Sequence, residues 1–183
     1  MRMGYHYVIQ TITPCMDKKL RLAILISSLF ILTGLSGCIG GSDESSGYEE
    51  LTDWSATADD NETYSKSKML GTKHIIHFSA SWCTPCRDVM HKVTGELPNA
   101  TFMVISTDEN DDDWNKLNDW HTQVNESNDT HNVDAPFMVN VELANSIDIK
   151  NTPTLIVVNE KGEITARQVG DFETAEEIRE FWG

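Results

Sequence analysis

The chain has 183 residues, 39% of them hydrophobic, and a formal charge of −15. That length suits one ordinary domain plus whatever its ends carry, with enough apolar content for a packed core. Arg2, Lys18, Lys19 and Arg21 against Asp17 leave residues 1–37 at +3 and the remainder at −18, a surface that repels nucleic acid, whose binding depends on Lys and Arg neutralising phosphates.

At the N-terminus, Lys18, Lys19 and Arg21 precede an apolar run from Leu22 to Leu35. The run is shorter than the roughly 20 residues of a membrane-spanning helix, so residues 1–37 read as a signal peptide, with Met16 as an alternative start that leaves Cys15 outside the protein. Leu35-Ser36-Gly37-Cys38 resembles the lipobox of prokaryotic lipoproteins, in which cleavage precedes a cysteine that carries lipid. The resemblance implies Cys38 as the lipidation site; retention of the segment as an uncleaved anchor is the alternative. Residues 38–51, rich in Gly, Ser and acid, read as a flexible linker ahead of a domain over 52–183. The address is then the outer face of the cytoplasmic membrane, where disulfides persist.

Asp53–Thr57 and Thr63–Lys66 flank a turn-like Ala58–Asn61 and predict a β-hairpin. Residues 74–80, HIIHFSA, form a β-branched and aromatic run that predicts a buried central strand. Behind the Cys83-Thr84-Pro85-Cys86 motif, Val89, Met90, Val93 and Leu97 recur at helical spacing until Pro98-Asn99. TFMVIST, residues 101–107, is a second buried strand, so strand, helix and strand make a βαβ unit. The acidic run Asp108–Asp113 reads as a solvated loop, without the spacing of an EF-hand. A helix is expected from Asp112 to Val124, a polar loop over 125–134 and another helix over Pro136–Ile147. Residues 151–159 form a third strand, and residues 164–170 a fourth, paired with it through the turn at Glu160–Glu163. Thr174-Ala175-Glu176-Glu177 fits a capping box opening a last helix. The fold class is α/β, a mixed central sheet flanked by helices with an N-terminal hairpin.

A bare C-x-x-C is compatible with a redox pair, half a metal site or an inert disulfide. HFSASWCTPC at a strand end, Thr152-Pro153-Thr154 before LIVV, and VNEKGEITARQVG together resemble the thioredoxin superfamily. The likeness is greatest to its membrane-tethered, extracytoplasmic TlpA/ResA-like branch and covers about residues 52–183. It implies a thioredoxin-like fold and a thiol–disulfide oxidoreductase with no cofactor or metal beyond a redox-active Cys83–Cys86 disulfide. Cys83 is then the nucleophile and Cys86 the resolving thiol. A place just before a helix N-terminus suits the first role, because unpaired N–H groups and the helix dipole stabilise a thiolate. Pro85 restricts the turn, Trp82 lines the active surface, and Pro153, preceded by Thr152, is implied to be a cis-proline facing the disulfide and presenting backbone to substrate. Proline suits that place because its cis bond costs only about 0.5–1 kcal/mol.

Thioredoxin itself has a buried aspartate six residues before the first cysteine, where this chain has His77. His77 is a candidate acceptor for the Cys86 proton; the plain alternative is a strand histidine bonded to a carbonyl. The implied partners are disulfide-bearing exported proteins, a membrane electron donor and the membrane itself, with a monomeric chain expected and no nucleic acid. The rival reading is a Sco-like copper-binding chaperone of the same fold. Those proteins use C-x-x-x-C with a distant histidine; here the spacing is one residue short, although His121 and His131 lie downstream.

Overall fold

The computed structural model describes residues 47–183. The signal segment, Met16, Cys38 and most of the linker lie outside the described residues. First come β1 (Glu49–Glu50), the hairpin strands β2 (Ser55–Thr57) and β3 (Thr63–Ser65), and the short helix α1 (Lys66–Met69). β4 (His74–Ser79), α2 (Thr84–Glu96), β5 (Thr101–Ser106), α3 (Trp114–Glu126), β6 (Phe137–Val139) and α4 (Val141–Ser146) follow. β7 (Thr154–Val158), β8 (Glu163–Val169) and α5 (Ala175–Trp182) close the domain. Six strands make one mixed sheet in the order β1-β8-β7-β4-β5-β6, and β2 and β3 make a separate pair. Among the described residues no helix is long and apolar enough to cross a membrane.

β4 is buried along its whole length, as a strand covered on both faces must be. It pairs parallel with β5 and antiparallel with β7, placing His77 opposite Val104 on one side and Leu155 on the other. Alternation along the strand then divides the core. Ile75 joins Val89, Met90, Val93, Trp120, Phe137, Leu155 and Ile178, the face covered by α2, α3 and α5. Ile76 and Phe78 join Leu51, Trp54, Met69, Met103, Met138 and Leu143, the face covered by the hairpin, α1 and α4.

Two stretches differ from the sequence expectation. The single helix expected over Pro136–Ile147 is instead β6 followed by α4. Pro136 O accepts from Val104 N at 3.0 Å, which starts β6 on the edge of β5, and the Asn140 side chain accepts from Leu143 N to begin α4 afresh. The linker expected to reach residue 51 ends earlier. Glu49 and Glu50 pair with Ile164 and Glu163, and Leu51 is buried with its N–H donated to Gly162 O. One buried leucine outweighs the polar residues before it, since burying such a side chain contributes about 1.5–3 kcal/mol.

The hairpin turn is fastened to the sheet through Asp59. Its carboxylate accepts from Phe137 N at 2.9 Å and from His121 Nδ1 at 2.6 Å, while His121 Nε2 donates to Val133 O at 2.8 Å. Acceptors facing both ring nitrogens favour the cationic imidazole, the form in which both can donate. Burial pushes the His121 pKa down, but the Asp59 hydrogen bond, the Val133 carbonyl and the Asp59 charge together raise it above 6.5. A raised folded-state pKa gives stability that is complete below the unfolded value and lost as pH rises through the folded one. His121→Gln is therefore expected to cost about 1.5–3 kcal/mol at pH 6, with the gap from the parent narrowing towards pH 9. Denaturant unfolding at both pH values checks this; a gap independent of pH refutes the ion pair.

Candidate redox site

The parallel β4–β5 pairing puts the C-terminal ends of both strands together, and the turn leaving β4 carries the motif. Cys83 N donates to Ala80 O at 2.9 Å, and Cys83 sits at the N-cap of α2 with Pro85 in the first turn. Proline is favoured there because the first helical N–H groups have no intrahelical acceptor anyway. Cys83 and Cys86 are joined as a disulfide, with S–S 2.01 Å and Cα–Cα 5.4 Å. Cys86 is fully buried against the α2-side core, while Trp82 immediately before the pair is 66% exposed.

The loop before β7 lies beside this turn. The Thr152–Pro153 bond is cis. Behind it, Gly170 N donates to Pro153 O at 2.9 Å and Thr154 Oγ1 to Asn151 O at 2.7 Å. Trp82 and Thr152 line one cavity of about 420 Å³, together with Thr107, Val141, Ala144, Asn145 and Ile149. The structure thus brings Trp82, Cys83, Pro85, Cys86, Thr152 and Pro153 to one end of the sheet.

His77 lies on the β4 face shared with Ile75, the side covered by α2. It is fully buried, and neither ring nitrogen has a hydrogen-bond partner among the described residues. Its ring stands 5.9 Å from that of Phe102. Burial alone pushes its pKa down to about 3, because a charged imidazolium loses its hydration there. The carbonyl partner expected for a strand histidine is therefore missing.

The acidic run proves to be structured around the motif. Asp111 is 4% exposed. It accepts from Ser81 N at 3.0 Å, from Ser81 Oγ at 2.6 Å and from Ser106 Oγ at 2.5 Å. Asp108 accepts from Trp82 Nε1 at 2.9 Å, and from Asn110 N at 2.9 Å; the Asn110 amide and then the indole hold its carboxyl below the usual carboxylate range. Arg87 Nη2 donates to Ser81 O at 3.3 Å and to Gln123 at 3.1 Å. The run is solvated as expected at Glu109, Asn110, Asp112 and Asp113, but Asp108 and Asp111 within it accept from the two residues before Cys83. The one signal that points to it is the parallel βαβ unit, which places whatever follows β5 beside whatever follows β4.

The downstream histidines are elsewhere. Both ring nitrogens of His121 are taken by Asp59 and Val133. His131 bonds Thr94 Oγ1 at 3.0 Å and packs where a Cβ on Gly95 would meet it at 3.0 Å. That is roughly 16 Å along α2 from Cys83 at about 1.5 Å per residue. Among the described residues no group of three His, Cys, Asp or Glu side chains is arranged to hold a metal ion.

The fold and the closed cysteine pair define a thiol–disulfide oxidoreductase of thioredoxin architecture. Residues 61–182 match the thioredoxin-like domain family, and the chain belongs to that family. Among solved structures it is similar to StoA from Bacillus subtilis, at 22% identity over 73% of this chain and 98% of that one, with a TM-score of 0.56. The pneumococcal exposed lipoprotein thioredoxin Etrx1 from Streptococcus pneumoniae is 18% identical over 72% and 98%, with a TM-score of 0.56. A thiol–disulfide oxidoreductase from Bacteroides fragilis is 19% identical over 72% and 98%, again at 0.56. These identities speak to the fold. Among curated proteins no match is found.

The buried imidazole gives the site an acid limit. Between about pH 6.5 and 3 the unfolded chain binds a proton at His77 that the folded chain does not. Stability therefore falls as pH drops through that window, by up to about 1.4 kcal/mol per unit. His77→Leu is expected to flatten this part of the profile. Urea unfolding at pH 4 and pH 7 checks it, and an equal acid loss in parent and variant contradicts the assignment.

Proposed function

We propose that the chain is a membrane-tethered thiol–disulfide oxidoreductase that reduces or exchanges disulfides in exported proteins at the outer face of the cytoplasmic membrane. The observation that carries the reading is the Cys83–Cys86 pair closed at the first turn of α2. In the reducing direction, the Cys83 thiolate attacks one sulfur of a substrate disulfide. That bond breaks, a Cys83–substrate disulfide forms, and the leaving thiolate takes a proton. Cys86, deprotonated in turn, attacks the Cys83 sulfur and expels the second substrate thiolate. Two electrons pass from the dithiol to the substrate, leaving the pair oxidised as it stands here, and a dithiol donor in the membrane returns them. No bound cofactor takes part.

Each flanking residue has an assigned part. Pro85 stiffens the first turn, and Trp82 with Thr152 and Pro153 flanks the incoming chain. At a pKa of about 3, His77 stores no proton at neutral pH, so its part is limited to passing one on from Cys86. Tethering rests on the basic and apolar leader and on Cys38. Support comes from the similarity to a pneumococcal protein described as an exposed lipoprotein thioredoxin.

The test is insulin reduction by the full chain with dithiothreitol as donor. Parent activity, its loss in Cys83→Ser and a trapped mixed disulfide in Cys86→Ser are expected. An inactive parent, or an active Cys83→Ser, overturns the reading. His77→Ala with an unchanged rate across pH 5–8 removes His77 from it. In a bacterial host, Cys38→Ser is expected to move the chain from the membrane to the soluble fraction. A variant that stays membrane-bound identifies the apolar segment itself as the anchor.

A further inference from the structure

The two residues ahead of the nucleophile are held by carboxylates from a different element. Ser81 gives both its N–H and its hydroxyl to Asp111, and Trp82 gives its indole N–H to Asp108. Asp111 is anchored in turn by the Ser106 hydroxyl at the end of β5. Thr107 ties the same strand end to β4 by donating its N–H and hydroxyl to Ser79 O at 2.9 and 3.2 Å. A buried carboxylate is costly to place unless its oxygens are bonded, and Asp111 meets that need by immobilising Ser81. The exposed indole of Trp82 is likewise fixed in direction by Asp108 instead of turning freely over the pair.

These carboxylates also bear on charge. The start of α2 favours an anion at Cys83, and Arg87, bonded to Ser81 O, adds to that. Asp108 and Asp111 act against it. Among the described residues, other charged or titratable groups of these elements are Asp88 in α2, the buried His77 in β4, Glu109, Asp112 and Asp113 in the same acidic run, Lys116 in α3, which donates to Asn110 O, and Lys150, which lines the cavity shared by Trp82 and Thr152.

We propose that Asp111 and Asp108 are positioning residues for disulfide exchange: they fix Ser81 and Trp82 in front of Cys83, and their negative charges oppose its thiolate, favouring the oxidised pair. The inference rests on the proposed redox role of Cys83. Removing either charge stabilises the thiolate, and a couple whose reduced form is stabilised becomes more oxidising.

The experiment uses the reduced full chain and needs no protein substrate. The rate of iodoacetamide alkylation at Cys83 is followed against pH, and the dithiol–disulfide ratio is measured in glutathione buffers. Asp108→Asn and Asp111→Asn are expected to lower the alkylation midpoint by about half to one pH unit. They are also expected to shift the ratio towards dithiol by roughly 3- to 10-fold, which corresponds to that shift. Ser81→Ala, which removes one hydrogen bond and no charge, leaves the midpoint where it is. Should Asp111→Asn fail to fold, Asp108→Asn carries the same test, because its carboxylate lies at the surface. An unchanged midpoint and ratio in Asp108→Asn overturn the proposal. A parent that fails to reduce insulin overturns the proposed function alone, since both measurements here concern the cysteine pair itself.

Discussion

β4 bonds to β5 on one side and to β7 on the other, parallel in the first case and antiparallel in the second. Those two directions decide which loops meet. The chain leaving β4, the chain leaving β5 and the chain entering β7 all emerge at the same end of the sheet. The first supplies the cysteines, the second Asp108 and Asp111, the third the Thr152–Pro153 bond. None of these segments contacts the others by closeness in sequence. Reversing either pairing would separate the three loops, and slipping β4 by one residue would turn His77 from the α2 face to the hairpin face.

The same end of the sheet concentrates buried polar groups, and they are satisfied unevenly. Asp111 has three donors, whereas His77 and the Ser79 hydroxyl have no partner among the described residues. An unpartnered buried donor costs about 1–3 kcal/mol, a cost the apolar remainder of the α2-side core offsets. Elsewhere Asp59 and His121 are fully partnered, by each other and by Phe137 N and Val133 O. The two histidine environments oppose one another in pH: burial makes His77 a liability in acid, and pairing makes His121 an asset there. Neutral pH is where neither term works strongly against the fold.

Local patterns were the legible part of the sequence. The unbroken run at 74–80, the helical spacing behind the motif and the hairpin across residues 58–62 each depend on neighbours a few positions apart, and each is present. The capping box is present with a shift. Thr174 Oγ1 accepts from Glu177 N, but the Glu177 carboxylate reaches Glu173 N in place of the Thr174 amide. Illegible parts depend on distant partners. β6 is three residues long and is a strand only because β5 offers an edge. β1 is two residues long and exists because Leu51 fits the core. Asp111 looks no different from its acidic neighbours, and only the placement of Ser81 and Ser106 sets it apart. For the site, the cysteine motif and the proline loop could be read off the chain, whereas the carboxylates behind them could not.

The edge strand β1 sits far from the redox site. β1 pairs with Glu163 and Ile164 at the start of β8, while Val169 at its end lies opposite Thr154, next to Pro153. The intervening strand is roughly 17 Å long at about 3.3 Å per residue. β1 therefore meets the sheet near the end remote from the cysteine pair. Glu49 and Glu50 are held near Arg167 and Lys66, so charge as well as backbone pairing fixes this junction. The junction thus lies at the opposite end of the sheet from Trp82, the disulfide and the cis-proline loop, so the backbone that fixes the edge strand β1 and the backbone that builds the redox site are separate.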